Sequence, residues 1–265
     1  MSIKIFQNQV IWITGASSGL GKYMALEFAK QGAKLALSAR RVDKLEEVIL
    51  QIKALGVEGI LVPCDVLEES EIEKAVQKVI SQFGRLDVAI ANAGYGVFGK
   101  IEDLSAKEWR RQMDGNVTGL AITAKAAIPY LKASKGRLVL IGSVAAYVPN
   151  PKTGAYGASK AAVRSIGQTL QLELKGTGVS CTVIHPGFVD SDITRVDNDG
   201  VFHPEVKDPR PKNLMWPTDK AARVMVSAIS RRKKSYVFTG HGKLIAFIGQ
   251  HFPNLGEWVI GKMGN

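Results

Sequence analysis

Tyr156 and Lys160 stand four residues apart in the run Thr153-Gly-Ala-Tyr-Gly-Ala-Ser-Lys160. The residues from 155 to 174 read as a helix. Positions i and i+4 share one helical face, so a cation is held near a phenol. A nearby positive charge favours phenolate and lowers a tyrosine pKa from its usual value of about 10. A phenol tuned in this way donates or accepts a proton near neutral pH. A YxxxK pair is common by chance. Its meaning depends on whether the chain also supplies a cofactor, a substrate and a further polar group.

A second run carries different chemistry. Thr14-Gly-Ala-Ser-Ser-Gly-Leu-Gly21 joins a strand to a helix. Gly15, Gly19 and Gly21 let the backbone turn sharply and approach a pyrophosphate, with Ser17, Ser18 and Leu20 as further contacts. The helix start adds free N–H groups and a positive dipole end. The spacing is GxxxGxG rather than GxGxxG, and its strand–turn–helix setting makes it a nucleotide signal. The end of the second strand reads Ser38-Ala-Arg-Arg41. An NAD site usually places an acid there to bond the ribose hydroxyls. Here the acid is absent and two guanidinium groups are present, which suit a 2′-phosphate. Ser38, Arg40 and Arg41 thus predict NADP(H), with Arg40 the stronger phosphate contact and Arg41 the weaker. The competing reading leaves the arginines solvated at a helix start.

These residues need a scaffold. Short apolar runs at 10–14, 34–38, 59–62, 86–91, 137–141 and 179–184 read as strands. Helical patterns fill 19–31, 42–55, 68–83, 105–132 and 155–174, with Pro129 bending or closing the end of the fourth. This alternation implies right-handed crossovers and a parallel sheet covered on both faces. The expected fold is α/β: a Rossmann-like, doubly wound parallel sheet in three layers, as a single domain over 1–265. Residues 188–216 are polar and proline-rich without a period, as in a substrate loop. A helix at 217–230, a strand at 235–238 and an amphipathic tail over about 241–265 complete the chain.

Taken together, these motifs resemble the short-chain dehydrogenase/reductase family. The resemblance rests on the glycine turn, Asp65-Val66, Asn92-Ala-Gly94, Asn116, Ser143, Tyr156-xxx-Lys160 and Pro186-Gly187, in order and in register. It is strong over about residues 8–190 and general beyond. It implies a catalytic set of Asn116, Ser143, Tyr156 and Lys160. Tyr156 would be the general acid in carbonyl reduction and the general base in alcohol oxidation. Ser143 would hold the substrate oxygen, Lys160 would bond the nicotinamide ribose, and Asn116 would position a water that relays protons to Lys160. Asp65 and Val66 would contact the adenine, and Asn92, Ala93 and Gly94 would line the cofactor floor. Pro186 and Gly187 would flank the nicotinamide, with Val189 a further cofactor contact. Ser191 stands where the family often has threonine and keeps the hydroxyl. The activity implied is an NADP(H)-dependent interconversion of a carbonyl and an alcohol on a small to medium, hydrophobic substrate. The resemblance also implies a homodimer or homotetramer. The alternative is a catalytically silent NADP(H)-binding sensor or scaffold, but Ser143, Tyr156 and Lys160 are all retained.

Composition narrows the partners. The chain has 265 residues, 46% of them hydrophobic, and a net charge of +11, which taken alone would suit an anionic partner. The basic residues are spread out apart from Arg231 to Lys234, as on a solvated surface. No basic helix, stacking motif or zinc module supports nucleic-acid binding. Cys64 and Cys181 are isolated in apolar runs, and His185, His203, His241 and His251 lack ligand spacing, so no metal is expected. The start of the chain has no signal-peptide core and no 18-residue apolar stretch occurs, consistent with a cytoplasmic protein. The tail resembles either an interfacial membrane helix or a segment packed on a subunit or the substrate entrance. Packing is the favoured reading, because Gly249, Pro253 and Gly256 interrupt the helix.

Overall fold

The computed structural model describes residues 4–199 and 201–255. Seven strands form one parallel sheet in the order β3-β2-β1-β4-β5-β6-β7. They are β1 (Val10–Thr14), β2 (Lys34–Ser38), β3 (Gly59–Leu61), β4 (Val88–Ala91), β5 (Arg137–Ile141), β6 (Ser180–His185) and β7 (Ser235–Val237). The β1 run Val-Ile-Trp-Ile-Thr is buried along its whole length, as a central strand covered on both faces must be. Its side chains alternate between two cores. Ile11 and Ile13 join Met24, Phe28, Leu45 and Met225 on one face. Val10 and Trp12 join Ile72, Val76, Leu131 and Val163 on the other.

The helices that cover the sheet are α1 (Gly19–Lys30), α2 (Val42–Ala54), α3 (Glu69–Phe83), α4 (Ala106–Met113), α5 (Gly119–Ser134), α6 (Gly154–Glu173), α7 (Thr218–Ser230) and α8 (Gly240–His251). The chain moves outward from β1 to β3 and then returns to place β4 against the free side of β1. That reversal opens a crevice at the carboxyl ends of β1 and β4, the place where such sheets take ligands.

Three expectations change. The helical stretch 105–132 is two α-helices joined by a π-helical turn, Asp114–Thr118. Pro129 lies inside α5, which continues to Ser134, so the proline does not end it. Gly249 does not interrupt α8 but lies within it. A Cβ on Gly249 would come 2.3 Å from the Tyr147 carbonyl oxygen, so glycine lets the helix close on that segment. The part of the tail reading that covers residues 256–265 lies outside the described residues. Among the described residues no helix is long and apolar enough to cross a membrane. The stretch 188–216 is held by short turns and isolated bridges such as Val189 with Trp216.

Candidate active site

The glycine turn is built around contacts that exclude side chains. Gly15 has a φ of +66° and Gly19 of +51°, the left-handed region that favours glycine. A Cβ on Gly15 would lie 2.7 Å from the Ala93 Cα, and one on Gly21 would lie 2.3 Å from the Gly15 carbonyl oxygen. Gly21 therefore closes the turn on itself and does not line the cleft. A Cβ on Gly19 would meet nothing within 4 Å, so the backbone there is bare and approachable. The Asn92 amide donates to the carbonyls of Thr14 and Gly15, both at 3.0 Å, which clamps the end of β4 to the turn. The Thr14 hydroxyl accepts from the backbone N–H groups of Asn92 and Ala93.

One continuous cleft runs from this turn along the carboxyl end of the sheet. Ser17, Ser18, Gly19, Leu20, Arg40, Arg41, Asp65 and Val66 line it on the glycine-turn and β2 side. Asn92, Ala93 and Gly94 line it beyond β4, and Ser143, Tyr156, Lys160, Pro186, Gly187, Val189 and Ser191 line it further along the sheet. Ser38 is not among them. It is fully buried and its hydroxyl accepts the Trp12 indole N–H at 2.9 Å, so it faces the core rather than a ribose. The two arginines are held differently. Arg41 donates to the hydroxyls of Ser17 at 3.1 Å and Ser18 at 2.7 Å. Arg40 is mostly exposed and lies 3.8 Å from the Asp65 carboxylate.

Tyr156 and Lys160 project from α6, and Ser143 follows β5. Ser143 and Tyr156 line the same cleft, and the Ser143 hydroxyl acts to lower the Tyr156 pKa. Lys160 Nζ donates to the Ile141 carbonyl at 3.0 Å and lies 5.8 Å from the Tyr156 ring centroid. Burial, rather than the lysine, governs the phenol. Desolvation pushes the Tyr156 pKa up, against smaller lowering effects from Ser143 and the Arg210 charge. Burial also pulls Lys160 down to about 8. Desolvation thus outweighs the lowering expected from the lysine, and each group is shifted toward its neutral form.

Asn116 sits in the π turn, fully buried behind the cleft. Its Oδ1 accepts the Tyr95 N–H at 3.0 Å, and its Nδ2 donates to the Tyr95 carbonyl at 2.9 Å and to Ser159 Oγ at 3.2 Å. A Cβ on Gly94 would lie 2.8 Å from Asn116 Oδ1 and 3.8 Å from Lys160 Nζ, so the two groups share one neighbourhood. Gln112 extends the network. It accepts from Val97 N at 2.5 Å and donates to the Tyr95 carbonyl at 3.1 Å. Ser159 Oγ donates in turn to the Tyr156 carbonyl at 2.7 Å.

Sequence reasoning missed Gln112, Ser159 and Arg210. Gln112 and Asn116 share a spacing of four, which was the available signal. Arg210 has no periodic context. It pairs with Asp208 at 2.6 Å and donates to the carbonyls of Val189 at 3.0 Å and Ser191 at 2.8 Å. No group of three or more acidic, histidine or cysteine side chains arranged for a metal occurs among the described residues.

The chain matches the family model described as short chain dehydrogenase over residues 9–201. It is 33% identical over 264 residues to 11-beta-hydroxysteroid dehydrogenase A of Sesamum indicum, covering 96% of this chain and 75% of that protein. It is 40% identical over 191 residues to 11-beta-hydroxysteroid dehydrogenase 1A of Arabidopsis thaliana, covering 71% of this chain and 54% of that one. The chain thus spans about half the length of the Arabidopsis relative. Among solved structures it is similar to an alcohol dehydrogenase of Thermococcus sibiricus complexed with 5-hydroxy-NADP. That likeness has 30% identity, a TM-score of 0.77 and coverage of 88% of this chain and 97% of the other. A short chain dehydrogenase/reductase of Burkholderia phymatum in complex with NAD is similar at 26% identity, with a TM-score of 0.83 and 96% coverage of both chains.

Proposed function

The chain belongs to the short-chain dehydrogenase/reductase family of oxidoreductases, and from that premise we propose an NADP(H)-dependent enzyme with Tyr156 as its general acid/base. It interconverts a carbonyl and an alcohol on a small to medium, hydrophobic substrate. The observation that carries this reading is the meeting of Ser143, Tyr156 and Lys160 in the same cleft as the glycine turn. The residues fit a dinucleotide. Gly19 leaves bare backbone at a helix start, and Arg41 with Ser17 and Ser18 offers donors to phosphate. Asp65 and Val66 would take the adenine end, and Lys160 the nicotinamide ribose. When bound, the reduced cofactor supplies a hydride to the carbonyl carbon.

The side chains supply the proton. A phenol raised by burial stays protonated through neutral pH, the state a general acid needs. The Ser143 hydroxyl beside it holds the same substrate oxygen and stabilises charge developing there. A lysine with a pKa near 8 exchanges protons readily at neutral pH and would restore the tyrosine through the Asn116 neighbourhood. The Phe98 ring lies 5.6 Å from the Tyr156 ring, and Val196 and Phe202 line the cleft, which favours an apolar substrate. Relatives named for 11-beta-hydroxysteroids place hydroxysteroids and ketosteroids first in a substrate panel. Membership of the family also favours a homodimer or homotetramer.

The test is nicotinamide absorbance at 340 nm against a panel of ketones, aldehydes and secondary alcohols. Tyr156→Phe is expected to lower turnover by about 10²–10⁴-fold with NADPH affinity within about twofold of the parent. Undiminished turnover in that variant removes Tyr156 from the chemistry. Tight NADPH binding without turnover across the panel by the parent chain supports the silent sensor instead.

A further inference from the structure

The segment Pro186-Gly187-Phe188 leaves β6 and carries two residues of the cleft wall, Pro186 and Gly187. It belongs to no helix or strand, so its position depends on bonds to other segments. The Pro186 carbonyl accepts from Val144 N at 3.0 Å, and the Phe188 carbonyl accepts from Trp216 N at 3.0 Å. The Phe188 N–H donates to His241 Nε2 at 3.1 Å. The last bond comes from the first turn of α8.

We infer that His241 is a positioning residue that fixes Pro186-Gly187-Phe188, and through it the nicotinamide end of the cleft. This inference rests on the cofactor reading proposed above. The fit is close on several sides. The imidazole stacks on the Phe188 ring with centroids 5.1 Å apart and planes at 22°. A Cβ on Gly187 would lie 2.2 Å from Thr239 Oγ1 and 2.7 Å from His241 Nε2, so the turn backs directly onto the segment. Thr239 is fully buried and caps α8 by accepting from Gly242 N at 3.1 Å, which fixes the direction of His241. A Cβ on Gly242 would come 3.0 Å from Val144 Cγ1, next to Ser143. One helical turn therefore touches both the nicotinamide-side segment and the segment that carries the substrate-oxygen donor. To accept from Phe188, the ring must keep Nε2 unprotonated, and burial of His241 favours that neutral form. The turn lies beyond residues 9–201, so the family match does not include it.

Two variants of the full chain separate the acceptor from the ring. His241→Phe keeps a ring to stack and removes the acceptor, whereas His241→Gln returns an acceptor oxygen near the Nε2 position. Amide hydrogen exchange at Phe188, NADPH affinity by nucleotide fluorescence, and KM and kcat on the best substrate of the panel are measured for each. In H241F the Phe188 amide is expected to exchange at least about tenfold faster, NADPH to bind about five- to tenfold more weakly, and kcat to fall severalfold. H241Q is expected to restore exchange and affinity to within about twofold. Equal exchange in H241F and the parent overturns the contact. Faster exchange with unchanged NADPH affinity and turnover overturns the positioning role. A parent chain that binds no NADPH sinks the function proposed above and the positioning role with it, while the exchange comparison still decides the contact.

Discussion

Arg40 and Arg41 are one peptide bond apart, yet only Arg41 is fixed over the glycine turn. Its guanidinium bonds two hydroxyls of that turn, at 3.1 and 2.7 Å. Arg40 faces Asp65 at 3.8 Å with its side chain 61% exposed, a pair worth at most about 1 kcal/mol. A pre-placed guanidinium loses less freedom when it binds a phosphate than one waving in solvent. We predict that Arg41→Ala weakens NADPH by about tenfold or more and NADH by less than about threefold, because a charge-assisted bond contributes roughly 1.5–3 kcal/mol. Arg40→Ala is expected to change either affinity by less than about threefold. Fluorescence titration with both nucleotides checks the ranking, and the reverse order restores Arg40 as the phosphate reader. The residue types of this site were legible in the chain, since Ser38-Ala-Arg-Arg41 shows no acid and two guanidinium groups. Their different placement was not. It depends on Arg41 standing at the N-cap of α2 and on a distant Asp65 arriving beside Arg40. Burial depth was equally hidden. The spacing of Tyr156 and Lys160 correctly brings them together, but desolvation then dominates both pKa values.

Elements position these residues through irregularities rather than regular runs. The π turn Asp114–Thr118 interrupts what would otherwise be one long helix, and such turns often occur at functional sites. It allows Asn116 to bond both backbone groups of Tyr95. Asn116→Ala would leave those groups buried without that partner. We predict a loss of about 1–3 kcal/mol in urea denaturation together with lower turnover, and unchanged stability would show that water replaces the amide. The turn was not readable beforehand, because one extra residue in a helix has no compositional mark. Gly115 and Gly119 are explained only by close neighbours, the Tyr95 ring and the Val66 carbonyl. The loop after β6 uses a similar device. The Asn198 side chain accepts from Phe98 N and donates to the Phe98 carbonyl, both at 3.0 Å, and donates to Glu108 at 2.7 Å. Phe98 is thereby held against Tyr156 from a residue one hundred positions away. Asn198→Ala is expected to raise the substrate KM severalfold with kcat and NADPH affinity nearly unchanged. An equal loss of NADPH affinity would show that the clasp orders the whole loop instead. That residues 188–216 form a loop was legible from their composition, but the partner of Asn198 was not.

At the scale of the whole molecule, the sheet was legible because its strands are short, apolar and buried from end to end, as in β1 and β4. The same burial makes stability depend on pH at two cationic side chains. Burial lowers His185 to about 4 and Lys160 to about 8. For His185, both folded and unfolded chains are neutral above pH 6.5. Between 6.5 and about 4 only the unfolded chain takes the proton, so this group's contribution to stability falls as pH falls. For Lys160, both states are charged below about pH 8, and the folded chain bears the full desolvation penalty there. Between about 8 and 10.5 the folded lysine is neutral while the unfolded one is charged, so the penalty is relieved as pH rises. The shift corresponds to roughly 3 kcal/mol at neutral pH. On the catalytic reading proposed above, a lysine at such a site serves activity at the expense of stability. We predict that Lys160→Met unfolds at higher urea than the parent at pH 7, by about 1–3 kcal/mol, while its turnover is lost. The difference is expected to shrink steadily from pH 8 to pH 10, as the parent's buried lysine gives up its proton. A methionine variant less stable than the parent at pH 7 would mean that the Ile141 bond outweighs desolvation. A stability gap independent of pH would mean that the buried lysine is not the source of it.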